Sequence, residues 1–131
     1  MKALLPITLL VGLTGCQLIS PIFVEYNGVR RDVAKWINQQ TLLSMQQKRS
    51  LAQLSRAQQQ LKSFPSKDSQ TRLQITKENQ IAMHCARQYL SDKKIQQLQN
   101  QIFDNDQAQI LQKYEQLAPQ IKLDSASIQC E

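Results

Sequence analysis

The sequence predicts an all-α fold, an elongated helical hairpin or three-helix bundle, and three observations point to it. The 131 residues include 23 glutamines but only three glycines, so helix-tolerant polar residues are abundant and turn formers are scarce. Apolar residues recur at spacings of three and four over long stretches, as they do along one face of a helix. At this length we expect one small domain, because two hydrophobic cores need a longer chain.

The first predicted element is a signal peptide over residues 1–15. A lysine at its start precedes an apolar run of about ten residues, which is too short to cross a hydrocarbon core. The alternative is an uncleaved membrane anchor over residues 3–24, but Gln17 and Pro21 are costly in hydrocarbon. We therefore expect the segment to be removed and to contribute nothing to the mature fold.

The four residues Leu13-Thr14-Gly15-Cys16 resemble the lipobox of bacterial lipoproteins. The resemblance implies transfer of diacylglycerol to the Cys16 thiol, cleavage before Cys16 and acylation of the new amino group. A cysteine is needed because its thiolate is the nucleophile, and several acyl chains make the attachment effectively permanent. Residue 17 is Gln, whereas an Asp there favours inner-membrane retention in such lipoproteins. The resemblance therefore implies an outer-membrane anchor facing the periplasm.

Residues 16–28 are predicted to form a lipidated tether, followed by a helical domain over residues 29–131. In this domain we expect one long helix over residues 29–62, because neither Gly nor Pro interrupts the chain until Pro65. Three seam positions of this helix are occupied by glutamines, Gln40, Gln47 and Gln58, so the apolar stripe is thin and the core is expected to be small.

Two further helices are predicted from their capping residues. The second runs over about residues 69–90, after a loop that supplies Asp68 and Ser69 for the N-cap. The third begins at the Ser91-Asp92 pair and ends before Pro119. Within it, the cluster at residues 104–106 is expected to kink or split the helix.

The cysteine count predicts a disulfide between Cys85 and Cys130, since these two remain once Cys16 is lipidated and the periplasm is oxidising. In the chain-entropy account, a bond that closes the chain between these two cysteines stabilises the fold by about 4 kcal/mol. The alternative is two free thiols, with Cys85 buried in the core.

Neither catalysis nor a bound metal is predicted. His84 precedes Cys85, but adjacent residues on a helix point about 100° apart and do not readily share a hydrogen bond. Asp104 and Asp106 lack the glycine turn and distal Glu of a calcium loop, and no His-Cys-carboxylate spacing suggests zinc. No glycine follows Gly28, so a phosphate-binding loop is excluded. The acyl chains on Cys16 are the one covalent group expected, and no small-molecule substrate is inferred.

Charge is concentrated in the first half of the domain. Residues 30–72 carry nine basic and two acidic side chains, a net of +7, whereas residues 73–131 carry six and seven, a net of −1. Near an anionic surface each Lys or Arg contributes about 1 kcal/mol before screening. An acidic envelope protein or an anionic surface is therefore the expected partner, and nucleic acid is not. The candidate binding residues are Arg30, Arg31, Lys35, Lys48, Arg49 and Arg56, and the alternative is a solvated helix face.

Residues 26–90, with Trp36, the glutamine-rich helix and the His84-Cys85 pair, are similar to a family of uncharacterised proteobacterial lipoproteins, which implies no activity. Trp36 is expected to anchor the core, or alternatively an interface. The predicted function is an outer-membrane-anchored periplasmic lipoprotein that acts by binding, as an envelope interaction or assembly factor. The alternatives are a periplasmic holdase for unfolded envelope proteins and an envelope hydrolase that relies on His84.

Overall fold

The structure is a computed structural model that describes residues 27–131. These residues form a bundle of α-helices: α1 Arg31–Asn38, α2 Met45–Gln58, α3 Ser69–Tyr89, α4 Asp92–Phe103 and α5 Gln107–Leu117. Shorter 3₁₀ segments lie at Gln59–Ser66, Asp104–Asp106 and Ser125–Ser127. No strand occurs in the described range, so the predicted all-α fold is confirmed. The predicted signal peptide (residues 1–15), the lipobox and residues 16–26 of the tether lie outside it.

The single long helix expected over residues 29–62 is wrong, because the chain turns between α1 and α2. After α1 the Gln40 side-chain amide donates to the Trp36 carbonyl at 3.1 Å. A capping box then starts α2: the Ser44 hydroxyl accepts from the Gln47 N–H, and the Gln47 side chain accepts from the Ser44 N–H. This turn lets α1 pack on both α2 and α4, which a straight continuation cannot do.

The second and third helices follow the predicted caps closely. The Asp68 carboxylate accepts the Thr71 N–H at 2.7 Å at the start of α3, and the Ser91 hydroxyl accepts the Lys94 N–H at 3.1 Å at the start of α4. The predicted break is a 3₁₀ turn that separates α4 from α5, where Asp104 adopts a φ of +52°. Local side-chain chemistry therefore sets three of these helix boundaries.

The core lies where α2 packs along α3 and against α4. The 3₁₀ segment that follows α2 holds α5 against this core, and the ring of Phe64 meets that of Tyr114 edge-on at 5.1 Å. Trp36 is half-buried at the margin of the core, with the Lys94 ammonium 5.8 Å from its ring. Large side chains that are fully buried include Ile37, Leu51, Leu54, Leu61, Phe64 and Leu98.

A C-terminal tail, residues 118–131, returns across the bundle from the end of α5. Cys130 in this tail and Cys85 on α3 lie at disulfide distance, with their Cα atoms 5.5 Å apart, as the sequence predicts. Among the described helices, none is both long and apolar enough to cross a membrane.

Candidate functional site

The six basic residues predicted as a binding face have different environments. Arg31, Lys35 and Arg49 are exposed on α1 and α2, so they are available to a partner. The other three are held inside the domain or against it. Arg30 is also exposed but bonds to Asp32 and to the end of α4, so the basic rod of the prediction is reduced to Arg31, Lys35 and Arg49 on two separate helices.

Arg30 joins the start of α1 to the end of α4. Its guanidinium donates twice to the Asp32 carboxylate, at 2.7 and 2.8 Å, and also to the Ile102 and Gln101 carbonyls at 3.0 and 2.9 Å. The hydrogen bond between the two side chains raises the pKa of Arg30 and lowers the pKa of Asp32. Because these carbonyls lie at the end of α4, the role of Arg30 in the structure is a bridge between helices and not the predicted contact with a partner.

Lys48 and Arg56 are predicted as surface contacts, but Lys48 is buried and Arg56 is bonded to the C-terminal residue. Only 3% of Lys48 is exposed, so it was wrongly assigned to a binding face. Its four-carbon stem suits a position against apolar neighbours, which a count of charges does not reveal. Arg56 forms an ion pair with Glu131 and a hydrogen bond to the Asn27 carbonyl, so it holds the C-terminal end of the tail.

A cavity of about 710 Å³ opens between the end of α2, the helices α3, α4 and α5, and the tail, and we call it the amide groove. Three amide side chains line it although they are almost fully buried: Gln58 is 1% exposed, Asn79 6% and Gln99 8%. Its other lining residues are Gln80, Met83, His84, Arg87, Gln88, Leu111, Tyr114, Glu115 and Leu123.

The buried amides form a chain of hydrogen bonds through the bundle. Gln107 donates to Gln99 at 3.2 Å, Gln99 donates to Gln58 at 3.1 Å, and Gln58 donates to Asn79 at 3.1 Å. The chain thus links α5, α4, α2 and α3 in that order. Its last member, Asn79, has no hydrogen-bond acceptor for its Nδ2 among the described residues, so the N–H donors of this amide remain for a ligand.

The sequence contained a partial signal for this groove. Gln58 was recognised as a polar residue at a seam position, but Asn79 was missed. Asn79 lies four residues after Ile75 and three before Ala82, both buried on α3, and this spacing places it on the core-facing side. A polar residue in such a stripe needs a buried partner, and the partner is Gln58.

The walls of the groove carry four ionisable side chains, those of His84, Arg87, Tyr114 and Glu115. The ring Nε2 of His84 lies 3.1 Å from the Gln88 amide, and its neighbour Cys85 is paired with Cys130. Arg87 and Glu115, both exposed, contribute opposite formal charges to the lining. Over residues 27–131, no group of three or more His, Cys, Asp or Glu side chains is placed to hold a metal ion.

Glutamines of α2 hold the tail by its main chain. Gln53 donates to the Gln129 carbonyl at 3.0 Å and accepts from the Glu131 N–H at 3.2 Å. About two turns earlier on α2, Gln46 donates to the Glu131 carbonyl at 2.7 Å. The tail is therefore recognised through its peptide groups as well as through the Cys85–Cys130 pair.

Comparison with known proteins yields no match to a family model, a curated protein or a solved structure. The resemblance to proteobacterial lipoproteins therefore stays a prediction. A helical bundle alone is compatible with many activities, so function has to be argued from the sites of this chain.

Proposed function

We propose that the chain is a lipoprotein anchored in the outer membrane through Cys16, and that its helical domain acts in the periplasm by binding. The observation that carries this proposal is the different placement of the three cysteines, two in a pair and one in the lipobox. Cys85 and Cys130 lie at disulfide distance, which leaves Cys16 of the lipobox as the third cysteine. A disulfide persists in oxidising compartments outside the cytoplasm, and a lipobox belongs to an exported chain. Both features therefore support the same location.

The exposed cations Arg31, Lys35 and Arg49 are the proposed contacts for an acidic envelope protein or an anionic surface. All three lie in the strongly basic half of the domain, close after the tether. Ten residues lie between Cys16 and the first described residue, Asn27, and this segment reaches at most roughly 40 Å. The tether therefore keeps the domain within reach of the membrane, and the attraction acts when the cations come within about a Debye length, roughly 8 Å, of an anionic surface.

Metabolic labelling with a palmitate analogue, followed by membrane fractionation, tests the anchor. We expect the parent protein to carry the label and to fractionate with the outer membrane. The Cys16→Ala variant should lose the label, because the nucleophilic thiol is gone, whereas Cys130→Ser should keep it. Label on Cys16→Ala, or its absence from the parent, contradicts the proposed anchor.

Charge reversal tests the binding face. We expect the triple variant Arg31→Glu, Lys35→Glu and Arg49→Glu to lose the dominant partner found by in-cell photo-crosslinking. The matched control reverses three exposed lysines outside this face, Lys77, Lys93 and Lys113, and alters net charge equally. If both variants lose crosslinking to the partner equally, net charge alone explains the binding. If the Arg31, Lys35 and Arg49 variant keeps the crosslink, the assignment of these three residues is contradicted.

A second candidate function, a periplasmic holdase for unfolded envelope proteins, is favoured by the mixed lining of the amide groove. Leu111 and Leu123 provide apolar contact while the floor provides amides, a combination that accepts segments of varied sequence. We expect a holdase to suppress aggregation of a denatured porin when the full-length protein is in molar excess. Unchanged aggregation under these conditions excludes this candidate.

A further inference from the structure

We propose that the amide groove binds an extended polypeptide segment by hydrogen bonds to its main chain. This assignment rests on the proposed binding function and names the chemical class of the ligand. The groove differs in position from the exposed cations Arg31, Lys35 and Arg49, which are not among its lining residues.

The chain itself shows how its amides hold a polypeptide. A primary amide carries a carbonyl acceptor and two N–H donors, and so includes the donor and acceptor pair that a peptide group offers. Gln53 uses both toward Gln129 and Glu131, two residues apart in the tail, and so bonds to them as a neighbouring strand would. These bonds involve peptide groups alone, so the recognition does not depend on the side chains of the bound segment.

The amide groove presents amide groups that are not used within the described part of the chain, the Nδ2 of Asn79 and the side-chain amide of Gln80. The Nδ2 of Asn79 ends a chain of three amide hydrogen bonds, and such chains strengthen the terminal donor by polarisation. Beside it, the half-buried Gln80 amide has no hydrogen-bond partner among the described residues. Asn79 and Gln80 thus offer donors and an acceptor to peptide groups in the groove.

Size and charge favour a neutral main chain over other ligands. A volume of about 710 Å³ falls within the range of roughly 300–1,000 Å³ that is common for ligand sites. Arg87 and Glu115 oppose each other in charge, so the lining has no excess of cations for a phosphate or carboxylate ligand. Met83 and Leu111 offer apolar surface to the side chains of a bound segment.

The test uses the full-length protein in lipid nanodiscs and fluorescence anisotropy with a labelled, unstructured ten-residue peptide. Three probes are compared: the peptide, a scrambled version, and a version N-methylated at alternate residues. We expect scrambling to leave the Kd within about threefold and N-methylation to weaken binding about tenfold or more, since it removes peptide donors. Equal Kd values for the methylated and unmodified peptides overturn the proposal, as does no binding of the unmodified peptide at 1 mM, taken as roughly the weakest useful affinity.

A variant of the groove makes the test specific to this site. Gln80→Leu keeps approximate size but removes the amide, and we expect it to weaken peptide binding about tenfold. Gln112→Leu, at an exposed residue of α5 that does not line the groove, is the matched control and should bind as the parent does. Equal binding by Gln80→Leu and the parent, or displacement of the peptide by an uncharged oligosaccharide, overturns the assignment.

These outcomes are separable from those of the proposed function. Palmitate labelling and crosslinking from the exposed cations report on the anchor and the basic face, without reference to the groove. Peptide binding by a protein that takes no label refutes the anchor and leaves the groove assignment standing. Labelled, crosslinked protein that binds no peptide refutes the groove assignment alone.

Discussion

Gln58 illustrates how one polar side chain connects three helices inside the core. It is 1% exposed, and its amide both donates to Asn79 on α3 and accepts from Gln99 on α4. Burying an amide is costly unless its hydrogen-bonding groups are paired, and here a partner lies on either side. Because each bond requires a particular placement of its partner helix, Gln58 favours one arrangement of α2, α3 and α4 over others.

Replacing Gln58 with Ala should therefore destabilise the fold more than a typical surface substitution does. We expect Gln58→Ala to lower the free energy of unfolding by about 2–4 kcal/mol, because it leaves two buried partners unpaired and opens a cavity. Urea denaturation measures the change. Gln112→Ala, at an exposed glutamine, is the control and should remain within about 0.5 kcal/mol of the parent. Similar losses in the two variants contradict a special role for the buried amide.

The Asp68 cap makes stability depend on pH. Its carboxylate accepts the Thr71 N–H, and this bond lowers the pKa of Asp68 from its ordinary value. The stabilising contribution is therefore complete above the unfolded-state pKa of about 3.9 and is lost as the pH falls through the folded-state pKa. Asp68→Asn retains a capping oxygen but does not titrate. We expect a shallower decline in Tm between about pH 5 and pH 2 in this variant, and identical slopes contradict the prediction.

At the scale of elements, the helices begin and end at short side-chain signals. The Ser44–Gln47 capping box starts α2 where neither Gly nor Pro marks a break, so a prediction based on breakers alone merged α1 with α2. At the junction of α4 and α5 the helix ends in the backbone instead, because Asp104 adopts a φ of +52°, a conformation that favours glycine. The chain thus retains a non-glycine residue at a strained position between two helices.

Substitution of Asp104 by Gly should relieve this strain. We expect Asp104→Gly to raise the free energy of unfolding by about 1 kcal/mol, because the relief exceeds the entropy that glycine adds to the unfolded chain. Asp106→Gly is the control, since Asp106 has a φ of −94° and gains no relief. Thermal denaturation measures the stability of both variants, and Asp106→Gly should be as stable as the parent or less stable. Stabilisation by both substitutions, or by neither, argues against strain at Asp104.

At the scale of the whole molecule, the tail closes the bundle by linking its C-terminal end to α2 and α3. Cys130 pairs with Cys85 on α3, while Gln129 and Glu131 receive hydrogen bonds from glutamines of α2. Leu123 of the same tail lines the amide groove. The pairing therefore supports both the stability of a small core and one wall of the groove.

Loss of the cysteine pair should release the tail and leave the helices folded. We expect Cys130→Ser to lower the free energy of unfolding by about 2–4 kcal/mol, because the unfolded chain is no longer constrained. Hydrogen exchange should rise in residues 118–131 more than in α2 or α3. Ser127→Ala, at an exposed residue of the same tail, is the control. Unchanged exchange in the tail of Cys130→Ser contradicts the role of the pair as its clamp.

The all-α class, the starts of α3 and α4, and the Cys85–Cys130 pairing could be predicted from the sequence. The all-α class depends on composition, and the pairing depends on the number of cysteines. The helix starts depend on residues within one turn of each other, as in the caps at Asp68 and Ser91. The lipobox prediction is equally local, and labelling remains its test. These properties need no knowledge of which helix lies beside which.

Only the tertiary structure decided which polar side chains are exposed. The basic-face prediction treated all six cations as solvated, yet Lys48 is buried and Arg30 and Arg56 bond to segments about 70 residues away. The amide groove likewise depends on Gln58, Asn79 and Gln99, which lie on different helices and meet only after packing. The physical reason is that burial is a property of the assembled helices, whereas charge and helix capping belong to residues close in the sequence.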